Sequence, residues 1–103
     1  MKREVRFYST RPMNGVVTEA QSFFTKTVEV KSSTLPPIGL VVAPCFIARK
    51  QWKSHHLQSG VVTDAFTENG KQIICVGTPT PPEALQECLR EEGDCKEVFG
   101  SPK

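Results

Sequence analysis

The segment Arg49-Lys50-Gln51-Trp52-Lys53-Ser54-His55-His56 gathers groups that could do chemistry: three formal cations, two imidazoles and the one tryptophan. Lysine and arginine neutralise a phosphate backbone, and an indole ring stacks on an unpaired base, so the pattern points to nucleic acid. Arg6 and Tyr8, flanked by Arg3 and Arg11, would extend this surface if the first strand lies beside it. The candidate interface is therefore Arg49, Lys50, Trp52, Lys53, His55 and His56, together with Arg6 and Tyr8. The competing reading is a solvated loop with Trp52 folded back into the core.

His55 and His56 also invite a metal reading, because neutral imidazole is a common ligand. Neighbouring residues on a strand point to opposite faces, which works against their sharing one ion. The cysteines stand at 45, 75, 88 and 95, and no two form the Cys-x-x-Cys pair that pre-organises zinc ligands on a tight turn. Cys45, Cys75 and Cys88 read as small, reduced core residues. Cys95 lacks that setting and is expected to be the reactive thiol. No metal site and no cofactor are assigned.

Enzyme signatures are missing. There is no Gly-x-Ser-x-Gly, P-loop or dinucleotide fingerprint. Ser54 precedes His55, but a nucleophile needs a base beside it in space and not merely in sequence. Asp64 and Glu68 are scattered carboxylates, and Glu83, Glu87, Glu91 and Glu92 lie on or next to a helix with solvent-facing positions. No catalytic residue is assigned.

The elements that must position these groups fit one domain spanning 1–103. Hydrophobic residues make up 38% and charged residues 23%, a globular balance, and the net charge of +2 does not by itself call for a polyanionic partner. The longest apolar stretch, Ile38 to Ala48, is too short to cross a bilayer and contains Gly39 and Pro44. The basic start has no apolar h-region behind it, so the chain reads as complete and cytosolic.

Arg3 to Ser9 and Ser22 to Lys31 alternate as half-buried strands. A hairpin closed at Asn14-Gly15 would set Phe7 against Ser22 and Val5 against Phe24. Leu40 to Ala48 reads as a strand covered on both faces, with Pro44 forcing an edge, a bulge or a break. Val61 to Gly77 reads as a central hairpin turning at Asn69-Gly70, with Glu68 opposite Lys71, Phe66 opposite Ile73, Ala65 opposite Ile74 and Asp64 opposite Cys75. Thr80 and Glu83 have capping-box spacing, Pro81 suits the first helical position, and Leu85, Cys88 and Leu89 form an apolar stripe ending at Gly93. The expected fold is α+β: an antiparallel sheet of four to five strands with one C-terminal amphipathic helix packed on it, and 94–103 as a loose tail.

The functional expectation is a small cytosolic binding protein that acts through a surface. Its partner would be a protein, or a nucleic acid held by Arg49–His56, and no membrane is involved. The alternative is a small metal protein or enzyme using His55, His56 and a cysteine.

Overall fold

The computed structural model describes residues 1–11, 22–100 and 102. Its elements run β1 (Lys2–Ser9), β2 (Ser22–Glu29), β3 (Val41–Val42), α1 (Pro44–Ile47), β4 (Gly60–Glu68), β5 (Lys71–Thr78), α2 (Pro82–Glu92) and β6 (Lys96–Phe99). The six strands form one sheet in the order β3-β4-β5-β1-β2-β6. The fold is α+β with a C-terminal helix, but the sheet is mixed. β1 runs parallel to β5, with Phe7 beside Val76, and every other neighbouring pair is antiparallel. A parallel pair needs a long crossover and leaves no turn signature between its strands, so local patterns had suggested a purely antiparallel sheet.

The hairpin of β4 and β5 adopts the expected register, from Glu68 opposite Lys71 to Asp64 opposite Cys75. Asn69 and Gly70 take φ of 53° and 76°, the left-handed pair that a type I′ turn demands. Beyond Asp64 the register shifts, and Thr63 is the extra residue of a bulge. The turn expected at Asn14-Gly15 lies outside the described residues. β1 and β2 are antiparallel, but Phe7 meets Phe24 where Ser22 was expected. That is a slip of two residues, which leaves every side chain on its expected face and so costs the apolar pattern nothing.

Pro44 neither edges nor bulges a long strand. It opens α1, because its missing N–H is no loss in a first helical turn. Ile47 from α1 then reaches over β4 at Gly60. A Cβ there would lie 2.6 Å from Val76 Cγ1 and 3.3 Å from Ile47 Cδ1, so the close approach requires glycine. The core lies between one sheet face (Phe7, Phe24, Val62, Ile74 and Val76) and a cover made by Leu85, Cys88 and Leu89 of α2 with Ile47, Ala48 and Leu57.

α2 begins one residue later than expected, and Thr80 does not cap it. Thr80 is fully buried instead. Its hydroxyl accepts the Gln58 N–H at 2.9 Å and lies 2.9 Å from the Thr78 hydroxyl, tying the helix entry to the approach of β4. Gly93 closes the helix at φ 79° as expected. Lys96–Phe99 and Pro102 do not belong to the loose tail expected over 94–103. β6 pairs with β2, setting Phe23 beside Val98, and Pro102 is buried with its carbonyl accepting from Arg6 Nη1 at 2.7 Å.

Candidate functional site

Residues 49–56 form a succession of turns after α1, and they lie against the C-terminal half of α2. Arg49 Nη2 is 3.4 Å from Asp94 Oδ2. The Lys50 backbone N–H donates to Glu92 Oε1 at 3.1 Å. His55 Nε2 sits 2.9 Å from Glu91 Oε2, and its Nδ1 is 4.0 Å from Glu87. These glutamates were expected to face only solvent. They hold an imidazole and a backbone N–H of the basic segment, near the negative pole of the helix, where hydrogen-bond donors are favoured.

Trp52 is half-buried and packs against the core, while Lys53 Nζ lies 5.3 Å over its ring. The indole thus has both the core and an ammonium group from its own segment against it. His56 is exposed, with φ of 52°. Among the described residues no group of three or more His, Cys, Asp and Glu side chains is arranged to hold a metal ion.

Arg6 and Tyr8 are not brought to this segment. Phe7 faces the helical cover, so its neighbours in the strand face the opposite side of the sheet. There Arg6 Nε donates to Glu4 at 2.7 Å and its guanidinium lies 5.7 Å over Phe23. Tyr8 donates to the hydroxyl of the bulge residue Thr63 at 2.7 Å. Arg3 points the other way, donating to Gln72 at 2.8 Å and to the Thr34 carbonyl at 3.2 Å. A cleft of about 410 Å³ opens beside Arg6, lined by Lys2, Lys71, Glu68, the Asn69-Gly70 turn and Ile73.

Glu4 bridges this side of the sheet, bound to Arg6 and, at 3.2 Å, to Lys71. Burial pushes its carboxyl up, but hydrogen bonds and charge from Arg6 and Lys71 outweigh that and hold it below its ordinary value. Asp94 is also held low, chiefly by the hydrogen bond from Lys26 at 2.9 Å. A carboxylate with a depressed folded value contributes stability above its unfolded value, and that stability is lost as pH falls through the folded one. Urea melts should therefore show stability falling once pH drops past the ordinary values of 4.5 and 3.8. Glu4→Gln should flatten the upper part of that fall, and an unchanged slope would contradict the bridge.

The thiols are ranked differently from the expectation. Cys75 and Cys88 are buried, but Cys45 on α1 is exposed. Cys95 is half-buried against the core, and burial followed by the Asp94 charge pushes its thiol up to about 12. Burial, with Glu92 and Glu91 behind it, pushes Cys88 up to about 11. Since thiolate is the reactive form, a thiol reagent near neutral pH should label Cys45 first. Peptide mapping of a brief labelling checks this. Cys95 labelled ahead of Cys45 would contradict the placement of β6.

The largest departure from the sequence reading is the run from Leu40. It is not covered on both faces. Val41 is 66% exposed, Phe46 73% and Ile38 68%, and Leu40 and Val61 are exposed as well. Four of these lie between 38 and 46, and Val61 is Val41's cross-strand partner in β4. Five of the seven large exposed hydrophobics among the described residues therefore sit along the β3 edge. A signal for it existed: Ser32 to Ala48, seventeen consecutive residues, carry no charged side chain.

No family model, curated protein or solved structure matches the chain. No helix among the described residues is long and apolar enough to cross a membrane.

Proposed function

We propose that this chain is a binding protein that docks on another protein through the apolar edge made by Ile38, Leu40, Val41, Phe46 and Val61. The observation that carries the reading is the concentration of exposed apolar side chains at one sheet edge. These residues leave on the order of 500 Å² of apolar surface in water around the edge, Val41 and Val61 on the open face of the sheet and Phe46 on the α1 side, an amount on the scale that marks interaction sites. The basic segment supports a nucleic-acid reading less well, because Arg49 is engaged by Asp94 just past α2, His55 by Glu91 of α2, and Trp52 packs on the core. Cys45, Cys88 and Cys95 carry unbridged thiols, which suits a reducing compartment, and the proposed place of action is the cytosol.

Exposed positions can be changed without disturbing the core, so the test uses them. Phe46→Ser combined with Val61→Ser should reduce co-purifying protein from cells about tenfold or more. Lys50→Glu combined with Lys53→Glu should leave that recovery unchanged. Loss of bound nucleic acid from the lysine variant, with the serine variant unaffected, would overturn the proposal in favour of the Arg49–His56 surface.

A further inference from the structure

We infer that the β3 edge pairs with the β3 edge of a second copy of this chain, about a two-fold axis at Val41. The inference rests on the reading of this edge as a docking surface and names its occupant. The backbone supplies the first argument. The Val62 N–H donates to the Leu40 carbonyl at 2.9 Å, which makes Val41 and Val61 a non-hydrogen-bonded pair. In an antiparallel ladder the N–H and C=O of such a residue point away from its partner strand. Val41 thus presents one donor and one acceptor on the outer side of the sheet, and Val41 of the partner subunit, related by a two-fold axis, presents the matching acceptor and donor.

Charge supplies the second argument. Natural edges are guarded by charged residues and proline. β6, at the other edge, carries Lys96 and Glu97, and Glu97 is bound by Arg90 at 2.8 Å. The β3 edge has no charged guard, because residues 32–48 are uncharged, and its prolines flank Val41–Val42 without entering the strand. Two copies therefore meet without like-charge repulsion, whereas a charged partner would find nothing to pair with.

Size and closure supply the third. A standard interface takes about 800 Å² from each partner, about 65% of it apolar in homodimers, which calls for on the order of 500 Å² of apolar surface per copy. The exposed side chains at this edge amount to on the order of that area. Pro44 has no N–H to donate, and Gly39 turns the chain with φ of 95° before Leu40, so pairing is confined to the few residues around Val41. An isologous contact of this kind closes on itself, and the product is a dimer and not a fibre.

Sedimentation under reducing conditions, where exposed Cys45 cannot join copies covalently, reads the mass directly. The wild type should run at twice the 11.4 kDa chain mass. Val41→Glu and Val41→Lys should each be monomeric, and an equimolar mixture of the two should restore the dimer, since the two side chains then face each other across the axis. Because Val41 is exposed, near-native melting of each variant confirms that it folds. A wild type monomeric at every accessible concentration overturns the inference, and so does a mixture that stays monomeric. If the wild type is monomeric yet another protein is still lost on Phe46→Ser with Val61→Ser, the docking reading stands and only the second copy is wrong.

Discussion

Leu89→Ala should lower the free energy of unfolding by about 2–5 kcal/mol. Leu89 is fully buried on the stripe that α2 turns toward the sheet, within the cluster that includes Phe7, Phe24 and Val76. Truncation removes apolar burial and leaves a void that rigid strand residues cannot fill. A domain of this size has about 5–15 kcal/mol of stability in all, so the loss takes a large share. The helix also holds Glu91 and Glu92, which fix the basic segment. Weaker docking of α2 should therefore loosen residues 49–56 as well. Urea melts report the first effect and amide exchange at 49–56 reports the second. Melts unchanged by Leu89→Ala would mean that the helix does not pack as described.

Trp52→Ala should cost about 2–3 kcal/mol, below the ~3–5 kcal/mol of a wholly buried aromatic because the ring is half-buried. The indole packs on the core and carries Lys53 on its face, so its removal takes away apolar contact and a cation–π partner together. A ring used for stacking on bases would behave otherwise. Its loss would weaken single-strand binding by about 1–3 kcal/mol while leaving the melt nearly unchanged. Denaturant melts and a titration with labelled single strand at low salt, made on the same variant, separate the two. A binding loss with an unaltered melt would return Trp52 to a nucleic-acid surface.

How much of this could be read from the residues depended on the range of the interaction. The β4–β5 hairpin was fully readable, because Asn69-Gly70 sets its turn and the turn sets every pair up to the bulge. The α2 stripe and its Gly93 stop were readable for the same reason: helix periodicity and a left-handed cap are local. The parallel pairing of β1 with β5 was not, since nothing between Ser9 and Lys71 encodes which distant strand will be the neighbour. Thr80 has the chemistry of a cap, but the competing donor Gln58 N–H arrives from a different segment.

The site divided along the same line. The cations of 49–56 stand out in the sequence, whereas the contacts of Arg49 with Asp94, of His55 with Glu87 and Glu91, and of the Lys50 N–H with Glu92 depend on how α1 and α2 share one sheet face. Arg6 and Tyr8 were grouped with that segment by charge and aromaticity, yet strand alternation with Phe7 buried toward α2 sends them to the other side. The apolar run from Leu40 looked like interior because interior strands are apolar. Only its two-residue pairing at the sheet edge shows that Leu40, Val41 and Phe46 are surface, while Ile47 and Ala48 reach the core.

Site-specific photo-crosslinking in living cells tests the central claim most directly, with the photoreactive residue at Phe46 in one sample and at Lys53 in another. Phe46 precedes the turn-rich segment and Lys53 lies within it, so they report on the apolar edge and the basic segment respectively. The account predicts protein adducts from position 46, whether to a second copy or to another chain, and no nucleic-acid adduct from position 53. Nucleic-acid adducts at position 53 with none of any kind at position 46 would contradict it.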